Sequence, residues 1–338
     1  MSEQSPKKFY PYYRVAFLVK GTDKASSYFS FPEDLSDPFA YSNVAANIDI
    51  TKSFEGIFGT CVMRLYNLSD NHRAMLFHEP YWVTELDKTG NFKRVVLSAG
   101  YLSYNGGERH LNWAGIIRNA SSYKQGDSVV TEIVADELGF INDNSFVQLE
   151  INKGKKVSVV FNKDITNFLK KADYTKQTEK IAMQKAGRDI SMFFPEKNLK
   201  IVTDFEKDYE FTKDKVLNGS IQEVIKYLMS YIPNARMTKV DNVIYITDKQ
   251  TREGKTLLIN AENGLQSTPR LYGYRMTLNM MFEPRIHTNQ TVRVESVIAP
   301  NMNDEYSVAG YAHHLTLGDG TRPSATTDLN LVRIDIPG

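Results

Sequence analysis

The segment YSVAGYAHHLTL at residues 306–317, together with TDLNLVRIDI at residues 327–336, decides the fold class of this 338-residue chain. A turn with the sequence GDG lies between them, and upstream come an apolar run at residues 278–286 and a strand-like segment at residues 291–297. Strands of this kind bury one face against a core. This succession of strand-like segments predicts a C-terminal β domain. The segments contain no motif of an enzyme pocket.

The last of these strands changes the face on which its apolar residues lie. Leu329 and Leu331 share one parity, whereas Val332, Ile334 and Ile336 share the other. Because side chains alternate between the two faces of a strand, this change predicts either a β-bulge or a strand covered on both faces. Coverage on both faces is expected where a sheet contacts a second body.

The N-terminal region, residues 1–138, has the pattern of another β domain. Along residues 13–19, Tyr13, Val15, Phe17 and Val19 alternate with Arg14, Ala16 and Leu18, which is the period of a strand with one face on a core, and later segments repeat the strand pattern. A short helix is predicted after Ser69, whose hydroxyl group can cap its first turn. The sequence Asn105-Gly106-Gly107 (residues 105–107) favours a tight turn between two of the strands.

A polar loop at residues 21–42 carries three phenylalanines, Phe29, Phe31 and Phe39. Aromatic residues in such a loop pack either on their own domain or on a neighbouring protein, and the sequence leaves both alternatives open. If the second alternative holds, Phe29, Phe31 and Phe39 are the candidate interface residues.

The middle region, residues 139–254, combines strands with helices. Clean alternation predicts a strand at residues 147–151, and a second strand is predicted at residues 157–161. Apolar residues on one face predict a helix at residues 163–172. Residues 173–188 are rich in lysine and are predicted to form a solvated helix or a linker.

The clearest helix signal in the chain lies at residues 221–232. Ser220 and Glu223 form a capping-box pair, in which each side chain accepts a hydrogen bond from the other residue's backbone N–H. Apolar residues then recur at helical spacing and form one stripe. A strand is predicted at residues 243–247, and a charged turn marks the boundary with the C-terminal region, residues 255–338.

Composition excludes several classes of protein. With 41 basic and 40 acidic residues the net charge is +1, which argues against a dedicated nucleic-acid binder. Cys61 is the only cysteine, and its strand-like setting predicts a buried, inert thiol with no disulfide. No signal peptide and no membrane span are predicted, so we expect folding in the cytoplasm. Abundant tyrosine favours an assembly component, because tyrosine suits wet interfaces.

No metal site or cofactor is predicted. The histidines form no HxH or HxxxH pair, and adjacent His313 and His314 are expected to point to opposite faces of a strand. A nucleophile elbow and a phosphate-binding loop are both absent from the sequence.

Catalysis by paired carboxylates is the remaining enzymatic interpretation. Such pairs occur at three places in the sequence: Asp136 with Glu137, Glu206 with Asp208, and Asp304 with Glu305. Glycoside hydrolysis needs one carboxyl group with a raised pKa, and the neighbours of these residues in the sequence are polar. We therefore predict no catalytic residue.

Three groups of short motifs occur in a fixed order along the chain. The first group is LYNLS at residues 65–69 with a short helix after it, VLSAGY at residues 96–101 and WAGII at residues 113–117. The second is the capped helix after NGS at residues 218–220, with IYI in the strand behind it. The third is the C-terminal block with its strand at residues 307–314, which leads to a histidine. Together these motifs resemble those of the baseplate hub proteins of bacteriophage tails and related injection machines.

The resemblance implies a mainly β fold with α+β parts. Two tube-like β-barrel or sandwich domains, at residues 1–138 and 255–338, would be joined by smaller α+β modules at residues 139–254. It also implies a homotrimer, in which two β domains from each of three chains make six units around a ring. Such a ring would adapt a six-fold tail tube to a three-fold central spike, and DNA would pass its lumen only as cargo.

The resemblance implies that the protein has a structural role without catalytic turnover. It also implies that the protein is located in the tail baseplate of a virion that is assembled in the host cytoplasm. The implied partners are further copies of the chain, the tail tube protein, the central spike protein and other baseplate proteins. Two other functions fit parts of the sequence. A carbohydrate- or receptor-binding tail-tip protein would stack sugars on Trp82 or Trp113, and a cell-wall hydrolase would use one of the carboxylate pairs.

Overall fold

A computed structural model describes residues 11–18, 26–31, 42–53, 59–77, 94–101, 110–137, 146–171, 200–240, 243–249, 256–318 and 323–334. Most of these residues lie in strands, and short helices occur mainly in the middle of the chain. The predicted fold class, mainly β with α+β modules, is confirmed.

Eight strands form the N-terminal sheet within the described residues. They are β1 (Pro11–Leu18), β2 (Ser26–Phe31), β3 (Ser42–Asn43), β4 (Ala46–Ser53), β5 (Thr60–Tyr66), β6 (Arg94–Tyr101), β7 (His110–Gln125) and β8 (Ser128–Asp136). Their order in the sheet is β4-β5-β8-β7-β6-β1-β2-β3. Because Asn43 and Ala46 are three residues apart, the two ends of this path lie within about 11 Å of each other. The sheet therefore curls into a barrel around a core that includes Tyr13, Phe17 and Met63.

The described residues in the middle of the chain form two small sheets and two helical segments. Its strands are β9 (Phe146–Ile151), β10 (Lys200–Asp204), β11 (Lys215–Ser220), β12 (Arg236–Val240) and β13 (Val243–Thr247). β9 pairs with β11, and β13 lies between β10 and β12. The helix Ile221–Met229 packs its stripe of Ile221, Val224, Ile225 and Leu228 into the core of this module.

The predicted capping box starts that helix. The N–H group of Glu223 donates to the hydroxyl oxygen of Ser220 over 3.3 Å, and the N–H group of Ser220 donates to the carboxylate of Glu223 over 2.8 Å. The helix ends at Met229 rather than at residue 232, because the chain tightens into a turn just before Pro233.

The strand predicted at residues 157–161 is wrong. A continuous helical run occupies this part of the chain, made of Val157–Val159, a π-helical segment Val160–Ile165, and Thr166–Lys171. A short apolar run fits a buried strand or a buried helix equally well, so the local pattern does not distinguish them. The spacing of buried residues over the longer segment distinguishes them. The fully buried side chains of Val157, Phe161 and Ile165 recur every four residues, as on one face of a helix.

The C-terminal region forms a second barrel-like sheet. Its strands are β14 (Leu257–Asn260), β15 (Arg270–Tyr272), β16 (Arg275–Met281), β17 (Thr291–Glu295), β18 (Asp304–Leu317) and β19 (Ser324–Arg333). They lie in the order β14-β17-β18-β19-β16-β15. The chain after β14 returns along β16, where the N–H group of Met281 donates to the carbonyl oxygen of Gly264 over 2.7 Å. The sheet thereby encloses a core that includes Met276, Val294 and Leu331.

Neither alternative predicted for Leu331 and Val332 is found, because the bulge lies on the neighbouring strand and one face of β19 exposes Asp328 and Asn330. The register between β18 and β19 shifts between Val308 and Gly310 of β18, so Ala309 is the extra residue. Leu329 and Leu331 keep one buried face in β19, while Val332 lies near the strand's end and is half-buried. β18 carries the bulge because it is the strand that changes partners, as described next.

Candidate functional site

β18 belongs to both barrels. Along one edge it pairs with β19 over most of its length. Along the other edge its first residues pair with β17, and its last residues, from Gly310 to Leu317, pair with β4. The described residues of the two barrels therefore share one 14-stranded sheet. The predicted division at residues 1–138, 139–254 and 255–338 stays a prediction, and this pairing joins the first and last of those regions directly.

A glycine lies where β18 changes partners. A Cβ atom added at Gly310 would be 2.9 Å from the carbonyl oxygen of Lys52 and 3.3 Å from the Cα atom of Ser53. The absence of a side chain thus allows the backbone of β4 to approach β18 at the start of their pairing.

A buried ion cluster lies beside this crossing. The carboxylate of Glu137 is 3.0 Å from the ammonium group of Lys52 and 3.4 Å from that of Lys239. The ammonium group of Lys52 also donates to the carbonyl oxygen of Lys239 over 3.0 Å, and the N–H group of Gly59 donates to Glu137 over 3.1 Å. The cluster thereby connects β4 and the end of β8 to β12 of the middle module.

The electrostatics of the cluster keep Glu137 ionised. Burial by itself raises the pKa of Glu137, but the ammonium groups of Lys239 and Lys52 and the N–H group of Gly59 together lower it to about 2. Burial lowers the pKa of Lys52, and the Glu137 carboxylate offsets part of this change. Glu137 is thus buried although its neighbours in the sequence are polar, and its pKa is lowered rather than raised. A carboxylate held ionised in this way suits a structural link and does not suit proton transfer near neutral pH.

Sequence patterns do not reveal this cluster. Lys52 and Glu137 are 85 residues apart in the chain, and Glu137 and Lys239 are 102 residues apart. The only available signal is a lysine in a strand whose inward positions are otherwise apolar, and such lysines usually extend their charge to water.

Three of the other candidate carboxylates, one from each pair, have structural partners of their own. Asp136 pairs with the guanidinium group of Arg118 at 3.0 Å. The N–H group of Ser158 donates to Asp208 over 3.2 Å. The first residue of the third pair, Asp304, is 2.7 Å from the guanidinium group of Arg333.

His313 and His314 point to opposite faces of β18, as predicted. His313 is fully buried, with Nδ1 2.8 Å from the hydroxyl oxygen of Thr327 and its ring 4.9 Å from that of Phe282. Burial lowers the pKa of His313 to about 3. His314 is partly exposed, and its Nδ1 lies 2.7 Å from the carboxylate of Asp49. In the described part of the chain, no group of three or more His, Cys, Asp and Glu residues is arranged to hold a metal ion.

Two of the three predicted interface residues lie in β2. Phe29 is opposite Val15 of β1 and Phe31 is opposite Tyr13, close to the β3 end of the sheet. Phe39 lies outside the described residues. The role of these residues at an interface stays a prediction.

Trp113 is not available for stacking on a sugar. It is only 4% exposed and lies in the core of the N-terminal barrel, where its ring packs over the backbone of Gly115. Trp82 lies outside the described residues. Among the helices that the structure describes, none has the length and apolar character of a membrane span.

Comparison with solved structures finds this fold in tail proteins. A tail protein from Neisseria meningitidis MC58 has a TM-score of 0.54 at 12% identity, covering 95% of this chain and 96% of that chain. The 43 kDa tail protein of prophage MuSo2 from Shewanella oneidensis has a TM-score of 0.54 at 10% identity, covering 95% and 97%. A chain of the Francisella PdpA–VgrG complex has a TM-score of 0.52 at 7% identity, covering 99% and 55%. No curated protein matches the sequence.

The solved structures show which fold this chain shares, and the match of its sequence to a family model shows its family. A family model described as baseplate hub gp41 matches residues 33–320, which is most of the chain. The chain therefore belongs to the baseplate hub gp41 family, as a structural protein of the phage tail baseplate. The resemblance drawn from the sequence motifs is confirmed.

Proposed function

We propose that three copies of this chain form a closed ring that serves as the hub of the baseplate. The main support is the sharing of β18, which fixes the two barrels of each chain in one continuous sheet. Three copies would then contribute six rigidly paired barrels around one axis. Closed rings of this kind arise when a head-to-tail contact repeats with a rotation that closes.

The ring adapts a six-fold tail tube on one side to a three-fold central spike on the other. Six similar barrels approximate six-fold symmetry, while the identity of the three chains preserves three-fold symmetry. Other baseplate proteins bind its outside, and DNA passes the lumen as cargo. The net charge of +1 suits a conduit, because a strongly positive lining would retain the DNA. Assembly takes place in the host cytoplasm.

The hub works without catalytic turnover. Four of the candidate carboxylates support this part of the proposal, because each is engaged in an ion pair or a hydrogen bond within the fold. They are those of Glu137, Asp136, Asp208 and Asp304. Phe29, Phe31 and Phe39 are proposed contact residues between the hub and its neighbours. The division at residues 1–138, 139–254 and 255–338 is proposed as two barrels with a connecting module.

Mass and shape test the ring. Light scattering on the purified protein is expected to give three times the chain mass of 38.5 kDa, and negative-stain images are expected to show an annulus with three-fold symmetry. Tube and spike proteins added separately should each bind at micromolar concentration. A strictly monomeric protein that binds neither of them would refute the proposal.

A further inference from the structure

One end of the C-terminal barrel displays two unusual surfaces. The strand registers define this end, because Arg275 of β16 is opposite Val332 of β19, Val332 is opposite Ser307 of β18, and Ser307 is opposite Thr291 of β17. This row meets β17 at its first residue, and β17 continues past the row until Val294 is opposite Asp304. The start of β16 and the end of β19 therefore lie at the same end of the sheet as the start of β18 and the end of β17, and the last paired residue of β17 lies about 10 Å beyond the row. The β15–β16 turn and the loop after β17 both project from this end.

The loop after β17 presents a rigid apolar knob. The side chains of Val297 and Ile298 are 90% and 79% exposed. The loop that carries them is nevertheless well held, since the N–H group of Ser296 donates to the side chain of Asn303 over 2.7 Å and the N–H group of Ala299 donates to the hydroxyl of Ser296 over 3.1 Å. Two stiff β-branched side chains on an ordered loop lose little entropy on binding, which is typical of a protein contact.

An acidic groove of about 870 Å³ lies beside the knob. Its walls come from the ends of β14 and β17 and from the start of β18. The charged residues that line it are Glu262, Arg293, Glu295, Asp304 and Glu305. Two of the four carboxylates already have a guanidinium partner, since Arg293 is 2.9 Å from Glu295 and Arg333 is 2.7 Å from Asp304. The excess negative charge of Glu262 and Glu305 favours a basic occupant, and the neighbouring knob favours one with apolar or aromatic side chains.

The β15–β16 hairpin has that complementary chemistry. Its tip reads RLYGYR at residues 270–275, and all six residues are exposed. Tyr272 is 65% exposed and Tyr274 is 54% exposed, and the guanidinium group of Arg275 lies 5.6 Å from the ring centroid of Tyr274. Tyrosine and arginine are the residue types most often found at the energetic centres of protein interfaces.

The tip does not line the groove of its own chain. β19 and β18 separate β16 from β17, a distance of about 14 Å at the usual strand spacing. Because the two surfaces are separate on one chain, a contact between the tip of one copy and the groove of the next is a head-to-tail contact. Such a contact forms a ring when the rotation between successive copies closes.

We propose that residues 270–275 of one copy dock into the acidic groove of the next copy and pack on its Val297 and Ile298. The arginines of the tip lie against the carboxylates of the groove, and the tyrosines cover the knob. This inference rests on the proposed trimer and identifies a contact that closes it.

Point variants at the two surfaces test the contact. Val297→Asp with Ile298→Asp, and separately Arg270→Glu with Arg275→Glu, should each raise the dissociation constant of the trimer about 100-fold, as expected for central interface residues. Val216→Asp is the matched control, because Val216 is also exposed at 59% but lies in the middle module. Glu262→Lys with Glu305→Lys, added to the arginine variant, should restore trimers.

Disulfide trapping tests the pairing directly. Tyr272→Cys with Val297→Cys in one chain should give covalent dimers and trimers on mild oxidation, whereas either single variant should give none. Native Cys61 is fully buried and does not interfere. A monomeric wild-type protein would refute both the trimer and this contact. A wild-type trimer retained by every variant would refute the contact alone, as would variants that stay trimeric and lose only tube or spike binding.

Discussion

The carboxylate of Glu137 lies 3.0 Å from the ammonium group of Lys52, and these side chains are only 7% and 5% exposed. Lys239 adds a second positive charge at 3.4 Å, so the cluster has one buried anion and two buried cations. Such an arrangement depends on every member, because removing one partner leaves an uncompensated charge away from water.

We therefore expect Glu137→Gln to destabilise the protein by about 3–5 kcal/mol, the usual cost of breaking a buried ion pair from one side. The neighbouring Asp136→Asn is the control, since its pair with Arg118 is partly exposed and should cost less than about 1 kcal/mol. Urea unfolding followed by circular dichroism measures both. Equal losses of unfolding free energy in the two variants would mean that the buried cluster stabilises the fold no more than the partly exposed ion pair does.

Acid should weaken the fold through His313. Its pKa is lowered from 6.5 to about 3, so between these values the unfolded chain binds a proton that the folded chain excludes. The stability is thus fully present above pH 6.5 and is lost as the pH falls toward 3, by on the order of 5 kcal/mol.

His313→Gln should flatten this dependence, and melting temperatures between pH 7 and pH 4 would measure it. His314→Gln, on the opposite face of β18, is the comparison variant for the loss of a histidine from this strand. An unchanged slope in His313→Gln would assign the acid sensitivity to other groups. The pKa of Glu137 is lowered from 4.5 to about 2. The stability that this carboxylate contributes is therefore lost only as the pH falls from 4.5 toward 2.

Gly310→Ala should disturb the junction of the two barrels. The new Cβ atom would be 2.9 Å from the carbonyl oxygen of Lys52, so β4 or β18 must shift. Overpacking of this kind costs about 1–3 kcal/mol. Limited proteolysis and thermal unfolding are the measurements, and a variant as stable and as resistant as the wild type would contradict the steric argument.

Ser220→Ala should remove the cap of the helix Ile221–Met229 at a cost of about 1 kcal/mol. The hydroxyl oxygen of Ser220 accepts the Glu223 N–H group, and the variant leaves that donor without its partner in the helix. Lys226→Ala, an exposed change on the same helix, should be nearly neutral. Denaturant midpoints compare the two, and a larger loss for Lys226→Ala would contradict the capping assignment.

Features encoded over a few residues could be predicted from the sequence. The capping box of Ser220 and Glu223 needs only their spacing, and the opposite directions of His313 and His314 follow from the pleat of any strand. The helical run at residues 157–171 shows the limit, because its short apolar segment fits two structures and distant packing decides between them.

Features that join distant parts of the chain could not be predicted in this way. His314 contacts Asp49 across 265 positions of the sequence, and no local period specifies which strand lies beside β18. The ion cluster of Glu137 and the pairing of β18 with strands of both barrels likewise join residues that are distant in the sequence. The knob of Val297 and Ile298 escapes notice for another reason, since an apolar pair in a β region is ordinarily expected to face the core.

The pairing of β18 with β4 has a mechanical consequence. Eight facing residue pairs, from Gly310 with Ser53 to Leu317 with Ala46, connect the barrels. A pull along the strands loads these hydrogen bonds together in shear, instead of opening them one after another. A flexible tether between the barrels would stretch before transmitting load, whereas this seam transfers tension from one barrel to the other at once.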